Sequence, residues 1–269
     1  MPLFVCATPI GNLEDVTLRV LRTLEEAELV LCEDTRRTRV LLDRHGIHAR
    51  LLSYERHSEA RRTAEVLPRL REGAQVALVS DAGLPGVNDP GSRLIRSAVE
   101  HGVPVTVVPG PSAVETALVA SGLVGERYQF LGYLPRSENA RSALWAELAL
   151  WPWPAVGFES PKRLPRTLAS LAAAFPDRAA AVCRELTKQF EEISRGTTRE
   201  LAARFGTPPR GEVTLVIGPA GPRATTAPLG AASEAVARLV AAGAGRRQAA
   251  QVIAELSGLP ANRLYESSL

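Results

Sequence analysis

Residues 75–85, QVALVSDAGLP, join a short, continuously apolar run to a polar loop that carries Gly83 and Pro85. An apolar run this short, bounded by turn residues, predicts a strand covered on both faces. The unit recurs through the first half of the chain. Residues 3–7, 28–32 and 103–108 form similar runs, and helical patterns lie near 16–26, 35–45, 58–72, 91–102 and 112–121. Such alternation predicts βαβ units and a mostly parallel sheet.

Moving outward, the second half keeps an α/β character with a different rhythm. Strand patterns at 128–132, 155–158, 179–184, 191–194 and 213–217 include pairs separated only by short turns, which predicts a mixed sheet in a distinct domain. The expected division is therefore 1–120, an α/β domain with a mostly parallel sheet; 121–220, an α/β domain with a mixed sheet; and 221–269, a linker and small helical tail. The linker is GPAGPRATTAPLG at 218–230, and the tail patterns lie near 230–242, 246–257 and 260–267.

Composition narrows the classes. The chain has 269 residues, 45% of them hydrophobic, and a net charge of +3, an ordinary globular balance. No run approaches the ~20 apolar residues that cross a bilayer. The start, MPLFVCATPIG, lacks a basic region followed by a long apolar stretch, so the expectation is a cytoplasmic protein with nothing cleaved. Cys6, Cys32 and Cys183 sit in apolar runs without a C-x-x-C pair, which predicts buried reduced thiols and no metal site. Of the 32 basic residues only Lys162 and Lys188 are lysines. A lysine kept among arginines suggests a need for a compact or shiftable charge.

Ligands of an open α/β sheet bind beyond the carboxyl ends of its strands. Four loops there are rich in Gly and Pro or in charge: 8–13 (TPIGNL), 33–36 (EDTR), 80–85 (SDAGLP) and 109–113 (PGPSA). Gly and Pro make rigid loops that a ligand approaches closely. No G-x-x-x-x-G-K-[ST] or G-x-G-x-x-G occurs, which disfavours a P-loop NTPase, a kinase and a dinucleotide-dependent dehydrogenase. Ser112 to Glu115 reads as a capping box, and Ser160-Pro161 as an N-cap and first helical turn. Asp34 and Asp81 stand just past strand ends, where they act as caps or as site carboxylates. Arg36, Arg37, Arg39 and Arg44 begin the following helix, where cations oppose the helix dipole, so a phosphate-bearing partner is expected. FESPKR at 158–163 and RELTK at 184–188 each end a second-half strand with one of the two lysines.

TPIGNL, EDTR, SDAGLP with NDPG at 88–91, PGPSA, FES and RELTK, in this order and spacing, resemble the bacterial ribosomal small-subunit RNA (cytidine-2'-O)-methyltransferases of the tetrapyrrole (corrin/porphyrin) methylase superfamily. The resemblance runs from residue 3 to about 218 and on through the GLPANRLYESSL tail. Leu84 stands where that pattern has Thr, which removes a hydroxyl from the cofactor loop and leaves its backbone contacts; Gly86-Val87 replaces an apolar pair.

The resemblance implies two α/β domains with S-adenosylmethionine in the cleft between them, a homodimer, and methylation of a cytidine ribose 2'-hydroxyl in the decoding region of 16S ribosomal RNA, free or in the assembled small subunit. It implies that Thr8, Pro9, Ile10, Gly11, Asn12, Asp81, Ala82, Gly83, Pro85, Gly110, Pro111, Ser112, Ala113 and Leu186 hold the cofactor. Lys188, Asp34 and Glu185 become the catalytic candidates, and Arg36, Arg37, Arg39, Lys162 and Arg163 the RNA contacts, while Tyr54, Tyr128 or Tyr133 either pack in the core or rim or stack on a base. Two competing classes are a superfamily methylase acting on a tetrapyrrole or a protein histidine derivative, and a ribosome assembly factor without catalysis.

Overall fold

Five parallel strands build the first sheet: β1 (Leu3–Cys6), β2 (Leu29–Cys32), β3 (Leu51–Ser53), β4 (Val76–Leu78) and β5 (Val105–Val108), ordered β3-β2-β4-β1-β5. They belong to a computed structural model that describes residues 2–220, 229–257 and 259–268, in which Met1–Pro219 and Ala220–Leu269 form two units. Helices α1 (Leu18–Glu26) and α2 (Thr35–Arg44) cover one face, with Val20, Leu24 and Leu42 packed on Cys6, Val30 and Val79. On the other, α3 (Glu59–Arg71) and α4 (Ser92–Glu100) set Val66, Leu70 and Leu94 against Leu3, Val5 and Leu31. Coverage on both faces is why these strands are continuously apolar. Strand β3 has no such signature, because it is a three-residue, half-buried edge strand.

Helix α5 (Ala113–Ser121) follows β5 as the other helices follow their strands, yet it packs elsewhere. Its Val114, Ala117 and Leu118 lie on Val156, Ala181, Cys183 and Val216 of the second sheet. That sheet contains β6 (Gln129–Tyr133), β7 (Ala155–Glu159), β8 (Ala179–Arg184), β9 (Glu192–Thr197) and β10 (Val213–Ile217), ordered β6-β7-β10-β8-β9. Strand β6 runs parallel to β7, and the remaining pairs are antiparallel. Helices α6 (Glu138–Leu148), α7 (Leu164–Ala174) and α8 (Thr198–Arg204) cover its outer face, where Trp145, Leu168, Leu171 and Leu201 meet Val182, Leu215 and Ile217. Alternate residues of β10 thus feed two cores, Leu215 outward and Val216 toward α5.

In the second unit, α9 (Leu229–Ala241), α10 (Arg246–Ser257) and α11 (Ala261–Ser267) enclose a small core around Ala232, Val236, Ala249, Ala250, Leu259 and Leu264. Most of the expected linker, 221–228, lies outside the described residues. No helix among the described residues is long and apolar enough to cross a membrane. The three cysteines are buried and free, and burial raises the Cys6 thiol to about 12.

Candidate active site between the two sheets

A cavity of about 920 Å³ lies between the strand-end loops of the first sheet and the inner face of the second. Its size falls within the ~300–1,000 Å³ of small-molecule sites. Eight of the residues singled out from sequence line it: Ile10, Ala82, Gly83, Gly110, Pro111, Ser112, Ala113 and Leu186. The opposite wall is aromatic, with Phe130 and Tyr133 each set edge-on to Phe158 at 5.2 and 5.6 Å.

The remaining loop residues shape this cavity without lining it. The backbones of Thr8 and Gly83 exchange hydrogen bonds at 2.9 and 3.0 Å, and the Thr8 hydroxyl donates to the Ser80 carbonyl. Pro9 and Pro85 are buried. Gly11 and Asn12 turn away, toward an open groove of about 530 Å³ shared with Arg44, Thr187 and Lys188. A Cβ on Gly11 would stand 2.6 Å from the Leu186 carbonyl oxygen and from Thr187 Oγ1, so only glycine permits this approach. The Asn12 amide donates to Thr187 Oγ1 at 2.9 Å. Glu185 and Thr187 hold left-handed backbones, φ 52° and 62°, a strain that persists only where the surroundings enforce it. The two loops form a partition with Ile10 and Leu186 facing the cavity and Gly11 and Lys188 the groove.

The three catalytic candidates lie outside the cavity. Asp34 caps α2, accepting from the Arg36 amide and its guanidinium, and those bonds lower its carboxyl to about 2. Lys188 Nζ donates to Glu185 at 3.0 Å and to Glu212 at 2.9 Å. Burial opposes the ammonium, but these two bonds outweigh it and raise the Lys188 pKa. Glu185 is held low by the Glu212 amide and then by Lys188. Lys188 reaches the cavity only through Glu212, which lines it. Asp81 likewise points away, accepting from the Asp34 amide at 3.0 Å and pairing with Arg37 at 3.4 Å.

Three sequence readings are corrected, and Tyr54 takes the packing side of its two alternatives. Ser112 does not cap α5, since its hydroxyl donates to the Glu115 carboxylate instead of accepting from the backbone. Ser160 begins a turn, and α7 starts at Leu164. Arg163 is no free RNA contact: it bonds the buried Glu159 and the Leu134 carbonyl. Tyr54 is 1% exposed and hydrogen-bonded to Thr63, a core residue unable to stack on a base. By contrast Arg36, Arg37, Arg39 and Lys162 are exposed, Arg36 by 90% despite its pairing with Asp34.

Among its described lining residues the cavity has four carboxylates, Asp89, Glu115, Glu159 and Glu212, and no Lys, Arg or His. Two are neutralised, Glu159 by Arg163 and Glu212 by Lys188. Burial opposes ionisation of Glu115, but donation from Ser112 and Tyr128 outweighs it and holds the carboxyl below its usual range. Asp89 differs. Burial, then the nearby Glu33 and Asp81, raise its carboxyl to about 6. Neither Asp89 nor Glu115 was a site candidate from sequence; the NDPG motif marked the first, and the second carried only the capping-box reading of Ser112 to Glu115. Among the described residues no group of three or more His, Cys, Asp or Glu is placed to hold a metal ion.

Residues 2–202 match the tetrapyrrole (corrin/porphyrin) methylases. The chain belongs to this family. Among its relatives is a "Ribosomal RNA small subunit methyltransferase I" of Micromonospora olivasterospora, 43% identical over 266 residues that span 98% of this chain and 85% of that protein. Another protein of the same name, from Thermotoga maritima, is 44% identical over 80% of this methylase and 97% of its own length. A uroporphyrin-III C-methyltransferase from Thermus thermophilus, crystallised with S-adenyl homocysteine, shares the fold with TM-score 0.58 and 18% identity, covering 81% of this chain and 97% of that one.

Two outcomes follow for this methylase. Gly11→Ala forces the partition apart and is expected to cost about 1–3 kcal/mol in urea unfolding. Asp89→Asn is expected to raise the melting temperature at pH 7.5. A carboxyl with a raised pKa makes the folded state bind more protons than the unfolded one between 3.8 and about 6, so stability falls as pH rises through that window. Near pH 4 the two proteins should melt together, and calorimetry at both pH values checks this.

Proposed function

We propose that this methylase transfers a methyl group from S-adenosylmethionine to the ribose 2'-hydroxyl of a cytidine in the decoding region of 16S ribosomal RNA. The observation that carries the reading is the cavity's charge: carboxylates and no cation within, beside an exposed arginine-rich helix start at Arg36, Arg37 and Arg39. Such a cavity suits a donor with sulfonium and ammonium charges, and it disfavours a tetrapyrrole bearing many carboxylates. The names of the relatives at 43–44% identity support RNA as the acceptor. The proposal includes a homodimer acting in the cytoplasm, as the family resemblance implies.

When bound, S-adenosylmethionine supplies an electrophilic methyl group. The protein's part is mainly placement, holding acceptor oxygen and methyl carbon aligned at roughly 3–3.5 Å. Gly83, Gly110, Pro111 and Ala113 offer a rigid, sterically bare wall on which the donor rests, and Glu115 is a fixed acceptor for its donor groups. Phe130, Phe158 and Tyr133 exclude water from the other side. Lys188 and Glu185 act as positioning residues, anchoring Glu212 at the cavity edge. Asp34 caps α2 and so fixes the helix whose Arg36, Arg37 and Arg39, with Lys162, meet phosphates.

The test is incubation with methyl-labelled donor and, separately, naked small-subunit RNA, assembled small subunits and a precorrin, followed by nuclease digestion. Label recovered as 2'-O-methylcytidine is expected from one of the RNA substrates. Label on the precorrin alone would overturn the reading, and no transfer anywhere, with S-adenosylhomocysteine still bound, would favour an assembly factor. Replacing Arg36 and Arg39 together with Ala is expected to leave S-adenosylhomocysteine affinity unchanged. The slope of log RNA affinity against log salt should become shallower by about 1.5, since each lost phosphate contact removes ~0.7–0.9.

A further inference from the structure

We propose that Asp89 is the proton acceptor for the ribose hydroxyl, an inference that rests on the reading above. Asp89 lines the cavity between the two sheets, half-buried, on the loop that leads into α4. That loop is held in an expensive conformation: Gly86, Asn88 and Gly91 have φ of 85°, 64° and 130°, and a left-handed Asn is paid for only where the surroundings impose it. They do so from three sides. Arg56 donates to the Asn88 carbonyl at 3.2 Å, the Gly91 amide donates to Glu59 at 2.7 Å, and the Asn88 amide packs on Gly132 of β6, where a Cβ would sit 3.0 Å from its Nδ2. Two of these contacts tie the loop to the start of α3 and the segment before it, and the third brings it against the second sheet, with Asp89 beside that approach.

Elimination leads to the same residue. Glu159 is committed to Arg163 and Thr167, Glu212 to Lys188, and Glu115 to Ser112 and Tyr128. Among the described residues Asp89 alone of the four lining carboxylates has neither a salt bridge nor a pair of hydroxyl donors; its polar neighbours are the Ser80 hydroxyl, Glu33, Asp81, Arg56 and Tyr133. Glu33 and Asp81 repel its negative charge and burial disfavours it, while Arg56 and Ser80 act the other way. A base poised near working pH is the kind that assists proton transfer best.

The step balances simply. The ribose oxygen forms a bond to the methyl carbon, the carbon–sulfur bond breaks with its electron pair moving to sulfur, and the hydroxyl proton passes to an Asp89 carboxylate oxygen and then to water. The donor's positive charge is lost as the proton is released.

The experiment compares wild type with Asp89→Asn and Asp89→Glu, at saturating donor, on whichever RNA substrate the wild type labels. Asp89→Asn is expected to lower the single-turnover rate at least about 100-fold, with S-adenosylhomocysteine affinity by calorimetry falling by a far smaller factor and Asp89→Glu recovering part of the rate. The wild-type rate should rise with pH to a midpoint near 6 and level off, and Asp89→Asn should lack that limb. Independently of turnover, carbon-13 labelling of aspartate carboxyls should show a resonance titrating near pH 6 that is missing from Asp89→Asn. A variant with wild-type rate, or one that loses S-adenosylhomocysteine binding in step with turnover, overturns the assignment while leaving the proposed function intact. A wild type that yields no 2'-O-methylcytidine overturns the function itself, and the base with it.

Discussion

Two lengths of backbone, Thr8–Asn12 and Glu185–Lys188, run against each other with no room for a side chain at Gly11, and the cleft exists because they do. Either alone would be an ordinary loop, one leading from β1 toward α1 and the other joining β8 to β9. Together they carry the end of β1 across to the end of β8, and the left-handed backbones of Glu185 and Thr187 are the local cost. Helix α5 makes the same crossing on a larger scale. It leaves the first sheet and buries Val114, Ala117 and Leu118 on the second, a close-packed junction that transmits displacement instead of absorbing it. A reaction whose catalysis is mostly alignment requires such a frame.

Charge is arranged in two shells. Inside the cavity stand carboxylates, two of them neutralised by Arg163 and Lys188 from outside the lining. Outside, on α2, stand arginines. A net charge of +3 says nothing of this separation, because it sums over the whole chain. In the proposed function this sorting holds a cationic donor within and meets a polyanion at the rim, where phosphate contacts position a substrate.

The same arrangement explains Lys188. Lysine is rare in this arginine-rich chain, yet the Lys188 ammonium is committed to Glu185 and Glu212, and a charge so paired is a poor proton acceptor. Asp34 is similarly committed, to a helix cap and to Arg36. Strand-end position identified groups near the cleft without telling which way each one turns.

By itself the sequence determined the alternation of strands and helices, the mixed second sheet, the three tail helices and the Gly- and Pro-rich loops at the strand ends, since these depend on local periodicity and backbone restriction. Ile10, Gly83, Gly110, Pro111 and Leu186, which line the cavity, were named through the family resemblance of the motifs that carry them. Tertiary structure alone decided that α5 serves the second sheet, that Ser112 bonds Glu115 instead of capping its helix, that Tyr54 and Arg163 are structural, and that Asp89 is half-buried near Glu33 and Asp81. Each of these turns on contacts between residues far apart in the chain or on the direction a side chain takes. Burial and neighbouring charge, which set what a carboxylate can do, come into being only when the two sheets close on one another.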